Sequence, residues 1–100
     1  MTEALTVEDP DAMLGERALS KLKWRCRRGL LENDIFIERF FRRSESQLTN
    51  RQAAALGMLM AQSDNDLLDL LLARKSLLDI DTDLDRADVR EVLSILREIR

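Results

Sequence analysis

The chain has no histidine and no tyrosine, and its 100 residues include one cysteine, one proline and three glycines. Without histidine there is no Ser–His or Cys–His nucleophile pair and no histidine-ligated zinc site. A single cysteine excludes an internal disulfide and fits a reducing compartment. No apolar run approaches the ~18 residues that span a bilayer, and the acidic residues 1–11 do not form a secretory signal. These absences predict a cytoplasmic protein that is not inserted in a membrane and has no catalytic residues.

Leucine and charged residues make up most of what is present. The composition is 45% hydrophobic and 35% charged, with only 4% aromatic residues. Because β-branched and aromatic residues are scarce, helices are favoured over strands. One hundred residues are enough for one small domain. We predict an all-α fold, a small five-helix bundle over residues 15–100, preceded by a disordered acidic tail over residues 1–14.

Helical spacing of apolar residues predicts five helices, at about residues 15–28, 30–43, 50–62, 63–72 and 85–100. Thr49 is a good N-cap for the third helix, and Ser63 or Asp64 for the fourth. Residues 79–83 are predicted to be a loop. We expect the leucine run of the fourth helix to be the centre of the core. A broad buried face is expected on the second helix, formed by Leu30, Leu31, Ile35, Ile37, Phe40 and Phe41.

Two features that suggest chemistry have simpler explanations. Cys26 lies among basic residues, which lower a thiol pKa, but it shares a helical stripe with Leu19 and Leu22 and is predicted to be a small core residue. Aspartates alternate from Asp79 to Asp85, as in calcium loops. The EF-hand pattern needs Gly at its sixth position and Glu at its twelfth, where this chain has Leu84 and Arg90. A solvated acidic loop is therefore predicted, with no metal site.

Charge is unevenly distributed along the chain. The net charge of −3 argues against a general nucleic-acid binder. Residues 17–28 are nonetheless basic, and they favour a solvated face or a docking face for an acidic partner over a surface that binds phosphate backbones. Nucleic-acid binding through this first helix stays as the less favoured alternative.

A glycine separates the first two predicted helices, in the segment Arg28-Gly29-Leu30-Leu31-Glu32. In one interpretation Gly29 is the N-cap of the second helix, with Glu32 at the N3 position. In the other, a bare backbone flanked by a cation and an anion is a corner suited to close docking of a partner. Spacing alone favours the helix-cap interpretation.

This segment resembles the Arg-Gly-x-x-Glu signature of the succinate dehydrogenase flavinylation factors, the SdhE family. The similarity extends over about residues 15–75. Trp24-Arg25-Cys26-Arg27-Arg28-Gly29 resembles the end of the family's first helix, and Glu32-x-Asp34-Ile35 followed by Phe40-Phe41 resembles its second. Asp64-x-Asp66-Leu67 is similar to the start of its fourth helix. The chain departs from the family at Leu70 and Leu71, where an aromatic residue is expected, and in detail over the aspartate-rich loop and last helix.

The resemblance implies a fold of five helices and the role of an assembly chaperone that promotes covalent attachment of FAD to a partner. That partner is the flavoprotein subunit of succinate dehydrogenase, fumarate reductase or both, and the acceptor histidine belongs to it. The factor itself would hold no cofactor and would be a monomer when free. The implied docking residues are Arg27, Arg28, Gly29, Glu32 and Asp34, with Asp64 and Asp66 as weaker candidates. The alternative from a different class is a small helical interaction module, antitoxin-like or regulatory, that uses the same surface.

Overall fold

The computed structural model describes residues 9–27 and 31–98. These residues form six α-helices and two short 3₁₀ turns, with no strand among them. The five-helix prediction is confirmed, because five of the helices have eight or more residues and the sixth is a single turn. The helices are α1 (Glu16–Arg25), α2 (Leu31–Ser44), α3 (Asn50–Met60), α4 (Asp64–Leu71), α5 (Leu77–Ile80) and α6 (Ala87–Glu98).

Side chains that cap backbone N–H groups set the start of α3 and α4, as predicted. The Thr49 hydroxyl accepts from the Gln52 N–H at 3.2 Å, and the Gln52 side chain accepts from the Thr49 N–H at 3.1 Å. At the start of α4, the Ser63 hydroxyl accepts from the Asp66 N–H at 3.1 Å. Each cap satisfies donors that have no partner within the helix, so these two starts are encoded locally.

The C-terminal end of α4 is closed by a Schellman motif. Ala73 has a φ of 59°, in the left-handed region. Its N–H donates to the Leu70 carbonyl at 3.1 Å, and the Arg74 N–H donates to the Asp69 carbonyl at 2.8 Å. The Arg97 Nε, on α6, also donates to the Leu70 carbonyl at 2.8 Å. The end of α4 is thereby fixed against α6.

The core is a layer of aliphatic side chains around two phenylalanines. Phe40 and Phe41 pack edge to face with ring centroids 5.5 Å apart. The last helix, α6, packs against α3, α2 and α4 and buries Val89, Val92 and Leu96. Cys26 is fully buried in this core, which confirms its predicted structural role.

The outer side of α2 differs from the prediction. Leu31 and Ile35 were expected in the buried face, but they are 69% and 41% exposed, so that prediction is wrong for both. The buried face is formed by Asn33, Ile37, Phe40 and Phe41. Leu31 and Ile35 each lie two positions from Asn33, about 200° around the helix, so they cannot share its face. The predicted contribution of Leu30 lies outside the described residues.

Residues 9–14, which we call the N-terminal strap, run alongside the start of α3. The N–H groups of Asn50 and Arg51, the first two residues of α3, donate to the carbonyls of Ala12 and Pro10 at 3.0 and 2.9 Å. The strap lies within the predicted acidic tail over residues 1–14, whose first eight residues lie outside the described chain, and its backbone is hydrogen-bonded to α3. These bonds join backbone groups, so no pattern of side chains in the sequence predicts them.

The predicted loop over residues 79–83 contains regular structure. It holds the end of α5 and most of a 3₁₀ turn, Thr82–Leu84, whose Leu84 is buried. Asp79 forms a capping box with Ser76, since each backbone N–H donates to the other side chain, at 2.8 and 3.4 Å. Hydrogen bonds from the Ser76 N–H, and then from its hydroxyl, hold the pKa of Asp79 below its usual value. Asp79 and Asp81 therefore cap short helical turns, because their side chains accept hydrogen bonds from backbone N–H groups.

Candidate docking surface

We call the end of α1 and the start of α2 the α1–α2 corner, and the predicted motif falls there in the sequence. Arg27 comes two residues after the end of α1 and is exposed, and Glu32, the second residue of α2, is exposed too. Asp34, two positions further along, is half-buried. Arg28 and Gly29 lie between these helices and outside the described residues, so their role stays a prediction. Glu32 and Asp34 lie in the first turn of α2, where a negative charge is favourable to the helix dipole.

Arg27 is held against the indole of Trp24. The Arg27 guanidinium carbon lies 5.4 Å from the centre of the Trp24 ring, and the indole is 71% exposed. The Arg27 N–H also donates to the Trp24 carbonyl at 3.2 Å. A cation–π contact at an exposed site contributes about 0.5–1 kcal/mol, which restricts the orientation of the guanidinium. The cationic side of the corner is thus partly ordered before any partner binds.

A groove of about 710 Å³ runs between α1 and α2 beside this corner. Ile37 and Phe41 line it with apolar surface, and Trp24 stands at its edge. An ion pair between Lys23 Nζ and Glu45 Oε1, 3.0 Å long, also borders it. Carboxylates and guanidinium groups also border it, so charges of both signs surround the apolar surface. An apolar floor with a charged border is suited to binding another protein surface.

The buried Asn33 connects the corner to α4. Its side chain is fully buried, and Nδ2 donates to the backbone carbonyl of Asp64 at 3.0 Å. Its Oδ1 has no hydrogen-bond partner in the described chain. This bond joins the first turn of α2 to the start of α4. Sequence reasoning missed Asn33, although its spacing from Ile37 and Phe40 marks it as a polar residue on a buried stripe.

The two weaker candidates from α4 have different surroundings. Asp64 is joined to α2 through its carbonyl, as described. Asp66 is the third residue of α4, and its Oδ1 lies 3.5 Å from Lys75 Nζ in the segment after this helix. Its carboxylate is therefore paired within α4 and the segment that follows. The structure places Glu32 and Asp34 at the start of α2 and Asp64 at the start of α4, and Asp66 forms an ion pair with Lys75.

The described residues contain no group of three or more acidic or cysteine side chains placed to hold a metal ion. Within the same ranges, no helix is long and apolar enough to cross a membrane. What the corner does offer is exposed charge of both signs, an exposed indole and a groove. These features support recognition of another protein through shape and orientation.

Comparison with known proteins identifies the family. Residues 20–99 match the family model Sdh5, described as flavinator of succinate dehydrogenase. A protein of Ralstonia nicotianae named FAD assembly factor SdhE is 52% identical over 80 residues, which are 80% of this chain and 81% of that protein. A protein of the same name from Coxiella burnetii is 42% identical over 55 residues, covering 55% of this chain and 67% of the relative. The chain therefore belongs to the SdhE/Sdh5 family of FAD assembly factors. No solved structure is significantly similar to it.

Proposed function

We propose that this protein binds the flavoprotein subunit of succinate dehydrogenase, fumarate reductase or both, and promotes covalent attachment of FAD to it. Membership of the family carries the proposal, since the match covers residues 20–99 and a relative named FAD assembly factor SdhE is 52% identical. The α1–α2 corner supports it, because Arg27 and Asp34 both border the groove and Glu32 is exposed in the first turn of α2.

The proposed action is that of a chaperone and not of a catalyst. In this proposal the histidine that receives the flavin belongs to the partner, and so does FAD, which fits a chain that has no histidine. The factor would bind the flavoprotein conformation in which FAD and that histidine are aligned. A population shift of this kind needs only a few kcal/mol of differential affinity for the competent conformation. The factor needs no cofactor of its own, and it acts in the cytoplasm as a monomer when free.

The molecule is large enough for this task. It measures 44 × 27 × 21 Å, and a standard protein interface covers about 800 Å² on each partner. One face of the bundle, centred on the corner, supplies that area. At such a surface the charges of Arg27 and Glu32 fix orientation, because pairing with the wrong sign is unfavourable.

Covalent flavin incorporation tests the proposal directly. An unflavinylated succinate dehydrogenase flavoprotein subunit is incubated with FAD and a dicarboxylate, with and without this protein, and bound flavin is read by fluorescence on a denaturing gel. We expect faster incorporation with the wild-type protein. Glu32→Gln and Gly29→Arg should abolish the acceleration while helical content stays normal.

The matched control is Glu91→Gln, which removes an exposed carboxylate from α6. It should accelerate incorporation as the wild type does. If the wild-type protein neither binds the subunit nor speeds incorporation, the proposed function is wrong. If Gly29→Arg unfolds the protein, Gly29 is chiefly structural, and Glu32→Gln alone then decides whether the corner docks.

A further inference from the structure

Three large apolar side chains are exposed around the α1–α2 corner. Trp24 is 71% exposed, Leu31 69% and Ile35 41%. Leu31 and Ile35 lie one turn apart on the same face of α2, and Trp24 lies in the last turn of α1. We call these three residues the apolar corner. Together they present on the order of 400 Å² of accessible surface, which is the size of patch that marks interaction sites on small proteins.

The fold does not use these side chains to close its core. On α2 the buried face is complete with Asn33, Ile37, Phe40 and Phe41, and Leu31 and Ile35 point away from it. An isolated exposed leucine is ordinary on any protein surface. Three such side chains within twelve residues, one in the last turn of α1 and two on α2, expose apolar surface whose hydration a partner can relieve.

The apolar corner is continuous with the charges proposed to dock. Arg27 stacks on Trp24 at 5.4 Å, so a protein that covers the guanidinium also covers the indole. Glu32 follows Leu31 directly in the first turn of α2. A partner that engages both charges therefore also contacts Trp24 beside Arg27 and Leu31 beside Glu32.

We infer that the apolar corner supplies most of the affinity for the flavoprotein subunit, by packing against an apolar patch on that subunit. The charges of Arg27 and Glu32 form its border and set orientation. The groove between α1 and α2, with Ile37 and Phe41 on its floor, receives one apolar side chain of the partner. This arrangement, apolar in the centre and charged at the border, is that of protein interfaces in general. The inference rests on the proposed function.

The test is the affinity of the complete chain for the unflavinylated flavoprotein subunit, measured by calorimetry at low and high salt. The double variant Leu31→Ser/Ile35→Ser should bind at least about tenfold more weakly, as expected when central apolar residues of an interface are truncated. The loss should be similar at both salt concentrations, because apolar burial is not screened. Glu32→Gln, in contrast, should lose more affinity at low salt than at high salt.

The control is Leu78→Ser, which removes a side chain that is 57% exposed on α5, away from the corner. It should bind as the wild type does. Thermal unfolding followed by circular dichroism should show that both serine variants fold normally. Trp24→Ser, on α1, tests the same patch from the other helix and should weaken binding as well.

Three outcomes would overturn the inference. If the wild type binds and accelerates flavin attachment but the double variant binds equally well, the apolar corner contributes nothing and only the inference fails. If the wild type does not bind the subunit, the proposed function fails and the inference fails with it. If sedimentation shows a wild-type dimer that the double variant converts to a monomer, the patch is covered by a second copy of this chain.

Discussion

Ala73 closes α4 in a backbone conformation that glycine adopts more easily. Its φ of 59° lies in the left-handed region, and its N–H forms one of the two hydrogen bonds of the Schellman motif. The methyl group is exposed, so the side chain contributes no burial that compensates for the strain. We expect Ala73→Gly to stabilise the protein, because glycine has no Cβ to crowd the following carbonyl.

The magnitude follows from two opposing contributions. A residue with a Cβ in the left-handed region costs roughly 1–2 kcal/mol. Glycine at the same place gives back roughly 0.4–1 kcal/mol, because it increases the conformational freedom of the unfolded chain. The net increase in the free energy of unfolding is about 0.5–1 kcal/mol. For a domain of this size, that raises Tm by roughly 2–8 °C.

Urea denaturation and thermal unfolding, both followed by circular dichroism, measure this change. The matched control is Ala54→Gly, at an exposed position inside α3. There the backbone is helical, and glycine should lower the free energy of unfolding by about 1 kcal/mol. The reasoning is refuted if Ala73→Gly destabilises the protein to the same extent as Ala54→Gly.

Three further changes test other parts of the fold. Asn33→Leu removes Oδ1, which has no hydrogen-bond partner among residues 9–27 and 31–98, together with the bond to Asp64. Urea denaturation should show a gain of about 1 kcal/mol, because an unpaired buried acceptor costs more than one hydrogen bond contributes, and a clear loss would contradict this. Thr49→Ala removes a helix cap and should cost about 1 kcal/mol in the same assay. Ser76→Ala should raise the pKa of Asp79 only part of the way to 3.8, since the backbone N–H still donates. Because the pKa of Asp79 is lowered in the folded protein, its ionised carboxylate stabilises the fold above pH 3.8, and this stabilisation is lost as the pH falls through the folded pKa. NMR titration of the Asp79 carboxyl carbon measures that pKa in the wild type and in Ser76→Ala.

Local signals located most of the helices. Thr49 and Ser63 were identified as caps from residue type alone, because the hydrogen bonds they make reach only three residues along the chain. The third helix was predicted over residues 50–62 and spans Asn50–Met60, a difference confined to its last turn. The short α5 was missed, since four residues are too few to show a helical period.

Features that depend on distant parts of the chain were not predictable in the same way. Leu31 and Ile35 are as apolar as any core residue, and only the position of the neighbouring helices leaves them exposed. Asn33 is polar, yet it is buried because its partner is a backbone carbonyl thirty-one residues away. At the site, Glu32 and Asp34 lie at the start of α2 as expected. Their relation to Asp64 comes from packing and not from sequence spacing.

The packing of α6 has a consequence for the order in which the protein is made. The main neighbour of α6 is α3, and Val89, Val92 and Leu96 become fully buried where α6 packs on the bundle. Until α6 leaves the ribosome, the apolar surface of α3 that packs on α6 is uncovered, and contacts between distant segments form late. The nascent chain therefore contains the α1–α2 corner before its core can close. The bundle is complete only when α6 has been synthesised and has docked on α3.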